Sequence, residues 1–536
     1  MDWERHLLVV PVLLPLIAGA ALLLVDERRH TIKALASLVS TLALLVAAVA
    51  LLRIADDGSA ETTSASYAVA GWPAPFAIVL VLDRLSALLL VTTSFLALAA
   101  LAFSLARWDR NGPHFHSLFQ FLLMGLSGAF LTGDLFNLFV FFEVTLAASY
   151  GLLLHGSGSF RVRSGLHYIS INLAASLLFL IGVSLIYGVT GTLNMADLAM
   201  RIPQVSAEDR MLLQAGAGVL GVAFLVKAGM WPLGFWLPPA YMAAAAPVGA
   251  IFVILTKVGI YVLLRLSMLL FGGLSGELAG FGSMALLWGG IATLLFATSG
   301  VLASQAMGTL AGYSVLISSG TLLASIGLGN AAVVSGALFY LVSSTFAAAA
   351  LFMLIELVER AREPGADLLA VTMEAYGDER EETEEPEDEE VGVIMPGALA
   401  VLGVSFGCVA LLLAGLPPLS GFVAKFAMLR GMLDDGLRGG AVAASTWLLM
   451  ALVILSGLAA LVAMLRTGIR TFWAPLESVV PRVLVIEVVP VVALIGLCFA
   501  MSVYGGSVIR YTDAASDVLH QPAVYIRGVL PGGGSE

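Results

Sequence analysis

Charged side chains are scarce in this sequence. Only 12% of its 536 residues are Asp, Glu, Lys or Arg, while 60% are hydrophobic. Ordinary globular domains carry about 25% charged residues, and the mean hydropathy of this chain is +0.99. The shortage of charge therefore excludes a water-soluble globular protein.

Cysteine is also nearly absent. Cys408 and Cys498 both lie within apolar runs, which excludes a disulfide framework and a CxxC metal site. The seven histidines lie at predicted loops or helix edges, so no pair of them predicts an intramembrane haem. His114 and His116 could bind a metal, but two lone ligands are more often incidental. We expect neither a metal nor a cofactor.

Long apolar runs, in contrast, recur along the whole chain. A run of about 20 residues crosses a hydrocarbon core about 30 Å thick. The sequence predicts an all-α polytopic membrane protein with about 14 transmembrane helices. The first run lacks a small-residue cleavage site before Asp26, so we expect a retained helix rather than a signal peptide. The runs lie near 7–25, 32–53, 78–106, 115–131, 135–154, 165–188, 211–236, 243–271, 281–298, 301–328, 331–357, 394–433, 446–466 and 483–508.

Basic residues predict the orientation of these helices. The short connections 26–33, 107–110, 161–163 and 466–482 are rich in arginine. Cytoplasmic loops carry such an excess of basic residues. We therefore expect these connections in the cytoplasm of a bacterium with the chain in its inner membrane. Both termini then lie outside, on the periplasmic side.

Most of the net charge of −11 comes from one segment. Residues 378–390, DEREETEEPEDEE, hold ten acids and one arginine and so contribute −9. They lie in a predicted cytoplasmic loop, 361–392, which we interpret as a solvated linker. The alternative is an acidic antenna that attracts cations to a cytoplasmic opening.

Lysine is rare, and its positions are unusual. One of the four lysines, Lys33, lies in a basic loop, while Lys227, Lys257 and Lys425 lie within apolar runs. A charge at mid-membrane costs at least about 2.5–3.5 kcal/mol, so such residues are functional by default. Glu143 lies near the middle of another run, and we infer that it pairs with Lys227. The alternative is an ion pair that only pins two helices together.

The choice of lysine indicates proton transfer. Burial favours the neutral form of a lysine, whereas a nearby carboxylate favours its ammonium form. Arginine cannot switch in this way, because its pKa stays above about 12. The 22 arginines lie at predicted loops and helix ends, whereas lysine occupies the interior. This division predicts that the interior lysines carry protons.

Two apolar runs contain helix-breaking prolines. The run 211–241 would be roughly 46 Å long as one helix, and Pro232 and Pro238 should break it. Its string AGMWPLGFWLP (228–238) parallels AGLPPLSGFVAK (414–425), which contains Pro418. Proline-interrupted helices at matching places in two halves are typical of transporter ion sites.

The repeated motif predicts the domain organisation. The two broken helices are the seventh and the twelfth predicted spans. They are five positions apart, an odd number, so they run in opposite directions and the halves are inverted with respect to each other. We expect two inverted five-helix repeats, helices 4–8 in 111–266 and helices 9–13 in 281–468. Three helices precede them in 1–110, and the last helix and a tail follow in 469–536.

These motifs resemble the antiporter-like subunits that Mrp-type cation/proton antiporters share with respiratory complex I. The matching strings are GDLFNLFVFFEV (133–144), SLIYGVTGTLNMADLA (184–199), KVGIYVLLRL (257–266) and, within the Mrp type, FNLFVFFEVTLAASYGLLLHG (136–156). The resemblance implies a proton route through four residues. These are Glu143, Lys227, Lys257 and Lys425.

The sequence departs from the family pattern at two places. A basic or polar residue, commonly lysine or histidine, is usual near the start of the tenth helix, where this chain has Ser304 and Gln305 before Tyr313. The eighth helix commonly opens with a histidine, where this chain has YMAAAAPV (241–248). We expect water or Tyr261, one turn after Lys257 on the same helix face, to substitute.

The expected function is proton translocation within a multi-subunit Na⁺ (or K⁺)/H⁺ antiporter driven by the proton-motive force. Its partners would be other Mrp subunits, protons, monovalent cations and the lipid bilayer, with no nucleic acid, and the chain would not itself be an enzyme. The alternatives are a proton-pumping membrane subunit of a complex I-like NADH:quinone oxidoreductase or related hydrogenase, and a structural scaffold. No oxygen-rich cage for Na⁺ is evident within the apolar runs.

Overall fold

The computed structural model describes residues 6–57, 65–72, 74–76, 78–360, 397–437, 440–473 and 483–530. The predicted acidic loop 361–392 lies outside these residues. The described chain folds into nineteen α-helices. The first ten are α1 (Val10–Leu24), α2 (His30–Asp57), α3 (Arg84–Ser104), α4 (Phe115–Leu131), α5 (Leu135–Leu153), α6 (Ser159–Thr190), α7 (Met195–Arg201), α8 (Arg210–Ala228), α9 (Leu237–Ala243) and α10 (Ala246–Leu270).

The remaining helices carry the second half of the chain. They are α11 (Ser283–Ala303), α12 (Met307–Leu328), α13 (Ala331–Glu359), α14 (Gly397–Ala414), α15 (Ser420–Leu437), α16 (Ala444–Gly468), α17 (Val485–Val503), α18 (Gly505–Leu519) and α19 (Pro522–Val529). The predicted helical class is therefore confirmed.

The chain is a multi-pass integral membrane protein. In the described part of the chain, twelve helices are long and apolar enough to cross a membrane. Two further apolar helices, α1 and α4, have 15 and 17 residues and are shorter than the usual span. The number of fourteen crossings remains a prediction.

A small β-hairpin departs from the all-α expectation. Strand β1 (Ala65–Ala68) pairs antiparallel with β2 (Val79–Leu82), with Ala65 opposite Leu82. All four side chains of β2 are buried. The apolar run 78–106 predicted that a transmembrane helix begins here, but a run as short as VLVL fits a buried strand equally well.

Both predicted helix breaks are present. Helix α8 ends at Gly229, whose φ of 74° is left-handed, and α9 begins at Leu237. Helix α14 ends before Gly415, with a φ of 76°, and α15 begins at Ser420. A residue with positive φ at the C-terminus of a helix favours glycine, which explains both stops. Pro238 was wrongly assigned to the break. It lies in the first turn of α9, where its missing N–H costs nothing.

Helix α13 lies at the centre of the second half. Its whole apolar window is buried by other parts of the protein. It packs against α10, α12, α14, α15, α17 and α18. Helix α10 is almost as fully covered. The two helices that hold the middle of the molecule are therefore shielded from lipid by their neighbours.

Candidate functional site: buried lysines at the helix breaks

Lys227 occupies the last turn of α8, immediately before the first break. It is 7% exposed, and its Nζ lies 4.8 Å from the centroid of the Phe142 ring on α5. The face of an aromatic ring attracts a cation. The ammonium is thus held beside a neutral group, at a point where the helix itself stops.

A small cavity adjoins Lys227. It has a volume of about 30 Å³, and its polar lining consists of Thr145, Tyr168, Asn172 and Lys227. A polar cavity of at least about 10–15 Å³ accommodates a water molecule. The Tyr168 hydroxyl extends the polar lining to the Ser149 hydroxyl, 2.6 Å away. Lys227 therefore faces a space that one or two water molecules can occupy.

The predicted pairing of Glu143 with Lys227 is an electrostatic attraction and not a direct contact in this structure. No ion pair within 4.0 Å joins them among the described residues. The Glu143 Oε1 atom is buried without a hydrogen-bond partner. The carboxylate still attracts the Lys227 ammonium electrostatically. The Lys227 ammonium lies instead over the ring of the preceding residue, Phe142. Which of the two side chains faces Lys227 depends on how α5 is rotated about its axis, and the sequence could not predict that rotation.

Lys257 is completely buried in the middle of α10. Its Nζ donates to the Ser318 hydroxyl on α12, at 2.6 Å, and that hydroxyl lies 2.8 Å from the Ser344 hydroxyl on α13. The backbones of α8 and α10 approach closely beside Lys257. A Cβ on Gly259 would lie only 2.9 Å from the backbone nitrogen of Ala228. The first break and Lys257 are therefore neighbouring parts of one site.

Tyr261, which the sequence suggested as a substitute relay beside Lys257, contacts other groups in the structure. Its hydroxyl donates to the Phe130 carbonyl at 2.8 Å, and its ring packs against the Arg265 guanidinium, 5.5 Å away. The side chain is thus committed to other partners. Helical spacing placed it on the correct face of α10, but the tertiary contacts of that face decide where the hydroxyl points.

Lys425 lies just after the second break and caps the helix before it. Its Nζ donates to the carbonyls of Ala414, at 3.0 Å, and Leu413, at 3.2 Å. The last carbonyls of a helix lack partners within that helix. Two glycines make room for the side chain: a Cβ on Gly415 would lie 2.5 Å from its Cδ, and one on Gly457 3.0 Å from its Nζ. The second half thus holds its lysine at a helix end, as the first half does.

The sequence did not predict one ion pair in the interior. Asp83 caps the N-terminus of α3 and forms a salt bridge with Arg265 of α10, and both side chains are buried. The Tyr525 ring of α19 lies 5.1 Å from the same guanidinium. Arg265 therefore corrects the prediction that arginine avoids the interior. The only available signal was its place within the apolar run 243–271.

A large cavity at the opposite end of α10 also escaped prediction. It measures about 590 Å³, and charged groups from several predicted cytoplasmic segments line it, including Arg107, Arg161, Glu356 and Arg360. The Trp108 indole donates to Glu356 at 2.8 Å. These groups are far apart in sequence, so no local motif could have revealed that they meet.

The two histidines of the HxH motif face different partners. His114 Nδ1 lies 2.9 Å from Glu27 Oε1, whereas His116 Nε2 lies 3.6 Å from Asp109 Oδ2. The described residues contain no group of three or more potential metal ligands.

Arginines from another helix occupy the place where the family commonly has a basic residue. Arg466, in the last turn of α16, donates to the Ser304 carbonyl at 2.7 Å, and Arg470 donates to Gln305 Oε1 at 2.9 Å. The start of the tenth predicted helix therefore does have basic neighbours. They come from a distant part of the chain, so the local sequence could not predict that they contact Ser304 and Gln305.

Comparison with known proteins identifies the family of this chain. The sequence model described as "NADH:quinone oxidoreductase/Mrp antiporter, TM" matches residues 132–459, a range that includes Glu143 and the three interior lysines. The chain therefore belongs to the NADH:quinone oxidoreductase/Mrp antiporter transmembrane family, as its motifs predicted.

Relatives that match over nearly the whole chain are D subunits of cation/proton antiporters. The probable K⁺/H⁺ antiporter D subunit of Rhizobium meliloti (strain 1021) is 58% identical over 540 residues and covers 100% of both chains. The Na⁺/H⁺ antiporter D subunit of Bacillus subtilis (strain 168) is 32% identical, and the match covers 98% of this chain and 99% of that one. A chain in the structure of the Mrp complex from Dietzia sp. DQ12-45-1b is 27% identical, with a TM-score of 0.81, and the match covers 99% of this chain and 100% of that one. The similarity to the D subunits of Mrp antiporters is confirmed.

Proposed function

We propose that this chain is the proton-translocating D subunit of a multi-subunit Na⁺ (or K⁺)/H⁺ antiporter driven by the proton-motive force. The observation that carries the proposal is the set of partners around its three interior lysines. An aromatic ring, a hydroxyl and two carbonyls face Lys227, Lys257 and Lys425, and no carboxylate lies within 4.0 Å of them in the described chain. Such lysines are not locked into a direct ion pair, so each can release its proton and take up another.

The proton route runs from Glu143 and Lys227 through Lys257 to Lys425. The water-sized cavity serves Lys227, and the close approach of α8 to α10 brings Lys257 next in line. Pro232 and Pro418 support the route by keeping the helices broken at its two ends. The two five-helix halves, 111–266 and 281–468, are inverted repeats that each contribute one break.

The chain lies in the inner membrane of a bacterium with both termini on the periplasmic side. The convergence of Arg107, Arg161 and Arg360 on one cavity supports this orientation, since it places three arginine-containing connections on the same side. The partners are the other Mrp subunits, and the chain itself is a transporter component rather than an enzyme. A proton-pumping role in a complex I-like oxidoreductase is the weaker alternative, because the full-length relatives above are antiporter subunits.

Replacing Lys227 by arginine tests the proposal. The Lys227→Arg variant keeps a positive charge but cannot release a proton at working pH. We expect the complete antiporter to assemble with this variant and to transport no cation. The measurement is fluorescence dequenching in membrane vesicles that hold an acid interior, after addition of Na⁺ or K⁺.

Lys33→Arg is the matched control, because Lys33 donates to Glu27 near the start of α2, away from the route. We expect this variant to transport normally. Wild-type transport by the assembled Lys227→Arg variant would contradict the proposal and leave Lys227 with a purely structural role.

A further inference from the structure

Two buried pairs of serine hydroxyls lie between Lys257 and the second helix break. The first pair, Ser318 and Ser344, continues directly from the Lys257 ammonium, with separations of 2.6 and 2.8 Å. The second pair joins Ser343 to Ser420 at 2.7 Å. All four serines are at most 7% exposed.

The two pairs meet on α13. Ser343 and Ser344 are consecutive buried residues of this helix, and their hydroxyls bond to two different helices, α15 and α12. Ser318 belongs to α12, while Ser420 is the first residue of α15, directly after the break that contains Pro418. Lys425 follows in the same helix. One set of hydrogen bonds thus joins Lys257 to α13, and the other joins α13 to the first residue of α15, five residues before Lys425.

Hydroxyl groups are chemically suited to such a position. A serine hydroxyl both donates and accepts a hydrogen bond, so it can receive one proton while it releases another. It remains neutral before and after the exchange. A lysine or histidine inside α13 would instead bring a second charge close to Lys257, and like charges disfavour each other in a buried site.

We propose that Ser318, Ser344, Ser343 and Ser420 form a hydroxyl relay that carries the proton from Lys257 across α13 to Lys425. The Lys257 ammonium gives its proton to Ser318, which passes its own proton to Ser344. A rotamer change of Ser344 hands the proton to Ser343, which passes one to Ser420 and on to Lys425. Each hydroxyl gains and loses one proton, so only the two lysines change charge. This inference rests on the proposed function.

Alanine substitutions in the complete antiporter test the relay. Ser344→Ala is the sharpest variant, because Ser344 has no hydrogen bond to Lys257 and its removal leaves the lysine with Ser318. We expect transport to fall by at least about tenfold, a modest loss for a proton-transfer group. Ser344→Thr keeps a hydroxyl and should restore most of the rate. Ser343→Ala should lower transport in the same way.

Ser325→Ala provides a matched control. Ser325 is a buried serine of α12, two turns after Ser318, and its hydroxyl donates to the Thr321 carbonyl and to Met428 Sδ. It lies outside the relay, so we expect normal transport. Gel filtration of each purified complex checks assembly. A larger slowing in D₂O for Ser344→Thr than for wild type would support a proton-transfer role.

The Lys257→Ala variant tests the proposed function separately from the hydroxyl relay. Normal transport by the assembled Ser344→Ala and Ser343→Ala variants, with a silent Lys257→Ala variant, would overturn the relay but leave the proposed function standing. Normal transport by Lys257→Ala would instead contradict the proposed function itself.

Discussion

The imidazole of His155 is buried in the connection between α5 and α6. It is 5% exposed, and its Nε2 lies 2.7 Å from the Trp108 carbonyl. Burial lowers the pKa of His155 below its ordinary value of 6.5, and the positive charge of Arg161 acts in the same direction. The hydrogen bond to Trp108 and the carboxylate of Asp109 oppose the shift.

This burial predicts an acid-dependent loss of stability. As the pH falls through 6.5, the unfolded chain binds a proton at His155 before the folded chain does. The neutral imidazole of His155 therefore makes its full contribution to stability above pH 6.5. This contribution is lost as the pH falls through the lower pKa of the folded state. We expect the melting temperature to fall less between about pH 8 and about pH 5 in His155→Gln than in wild type. His167→Gln, which changes an exposed histidine on α6, should fall as wild type does, and equal slopes in all three would contradict the assignment.

Individual positions were predictable where composition alone decides them. Lys227, Lys257 and Lys425 stand out because lysine is rare in this sequence and these three lie within apolar runs, and all three are buried. Their partners were not predictable. The ring of Phe142 and the hydroxyl of Ser318 come from other helices, whose rotation depends on packing across the whole bundle.

At the scale of helices, the two breaks were evident from glycine and proline, but the space around them was not. Gly457 of α16 lies against the second break. A Cβ there would be 2.4 Å from the Ala414 carbonyl oxygen and 3.0 Å from Lys425 Nζ. Those two atoms are hydrogen-bonded to each other. No feature of the sequence around Gly457 indicates that it touches this earlier segment.

Gly457→Ala should therefore displace Lys425 from its helix cap. The added methyl group cannot fit without moving backbone, and overpacking of this kind costs about 1–3 kcal/mol. We expect a lower melting temperature of the purified complex together with reduced transport. Gly407→Ala is the control, since a Cβ on Gly407 of α14 meets no atom within 4 Å. A Gly457→Ala variant that behaves like Gly407→Ala would show that the cap does not need this space.

For the whole molecule, the membrane class, the family and the approximate span positions followed from apolar periodicity and a few motifs. The β-hairpin and the 590 Å³ cavity did not, since both depend on contacts between distant segments. The inverted relation of the halves is a prediction from a short match, AG, PL and GF in two strings, and from the odd number of positions between them. It sets the expected order of events along the route.

The order of the lysines predicts different defects in the two halves. Lys227 precedes its break and Lys425 follows its own, so we assign Lys425 to the far end of the route. Loss of that end should stop net transport but leave the Glu143 and Lys227 end able to exchange one proton. A single-turnover measurement of proton release should show a residual burst in Lys425→Ala and none in Lys227→Ala. Silence in both variants would mean that the lysines titrate as one coupled unit.

The burial of α13 has a consequence for biosynthesis. Other parts of the finished molecule cover its most apolar stretch completely, and only residues near its two ends are exposed, yet the helix leaves the ribosome before α14, α15 and α17 exist. It must therefore first enter lipid as an apolar segment, and its mean hydropathy of 2.1 allows this. A lysine at its centre would add about 2.5–3.5 kcal/mol to that insertion step. Serine hydroxyls avoid the charge penalty, so this helix can be synthesised as a plain membrane span and acquire polar function only when its neighbours close around it.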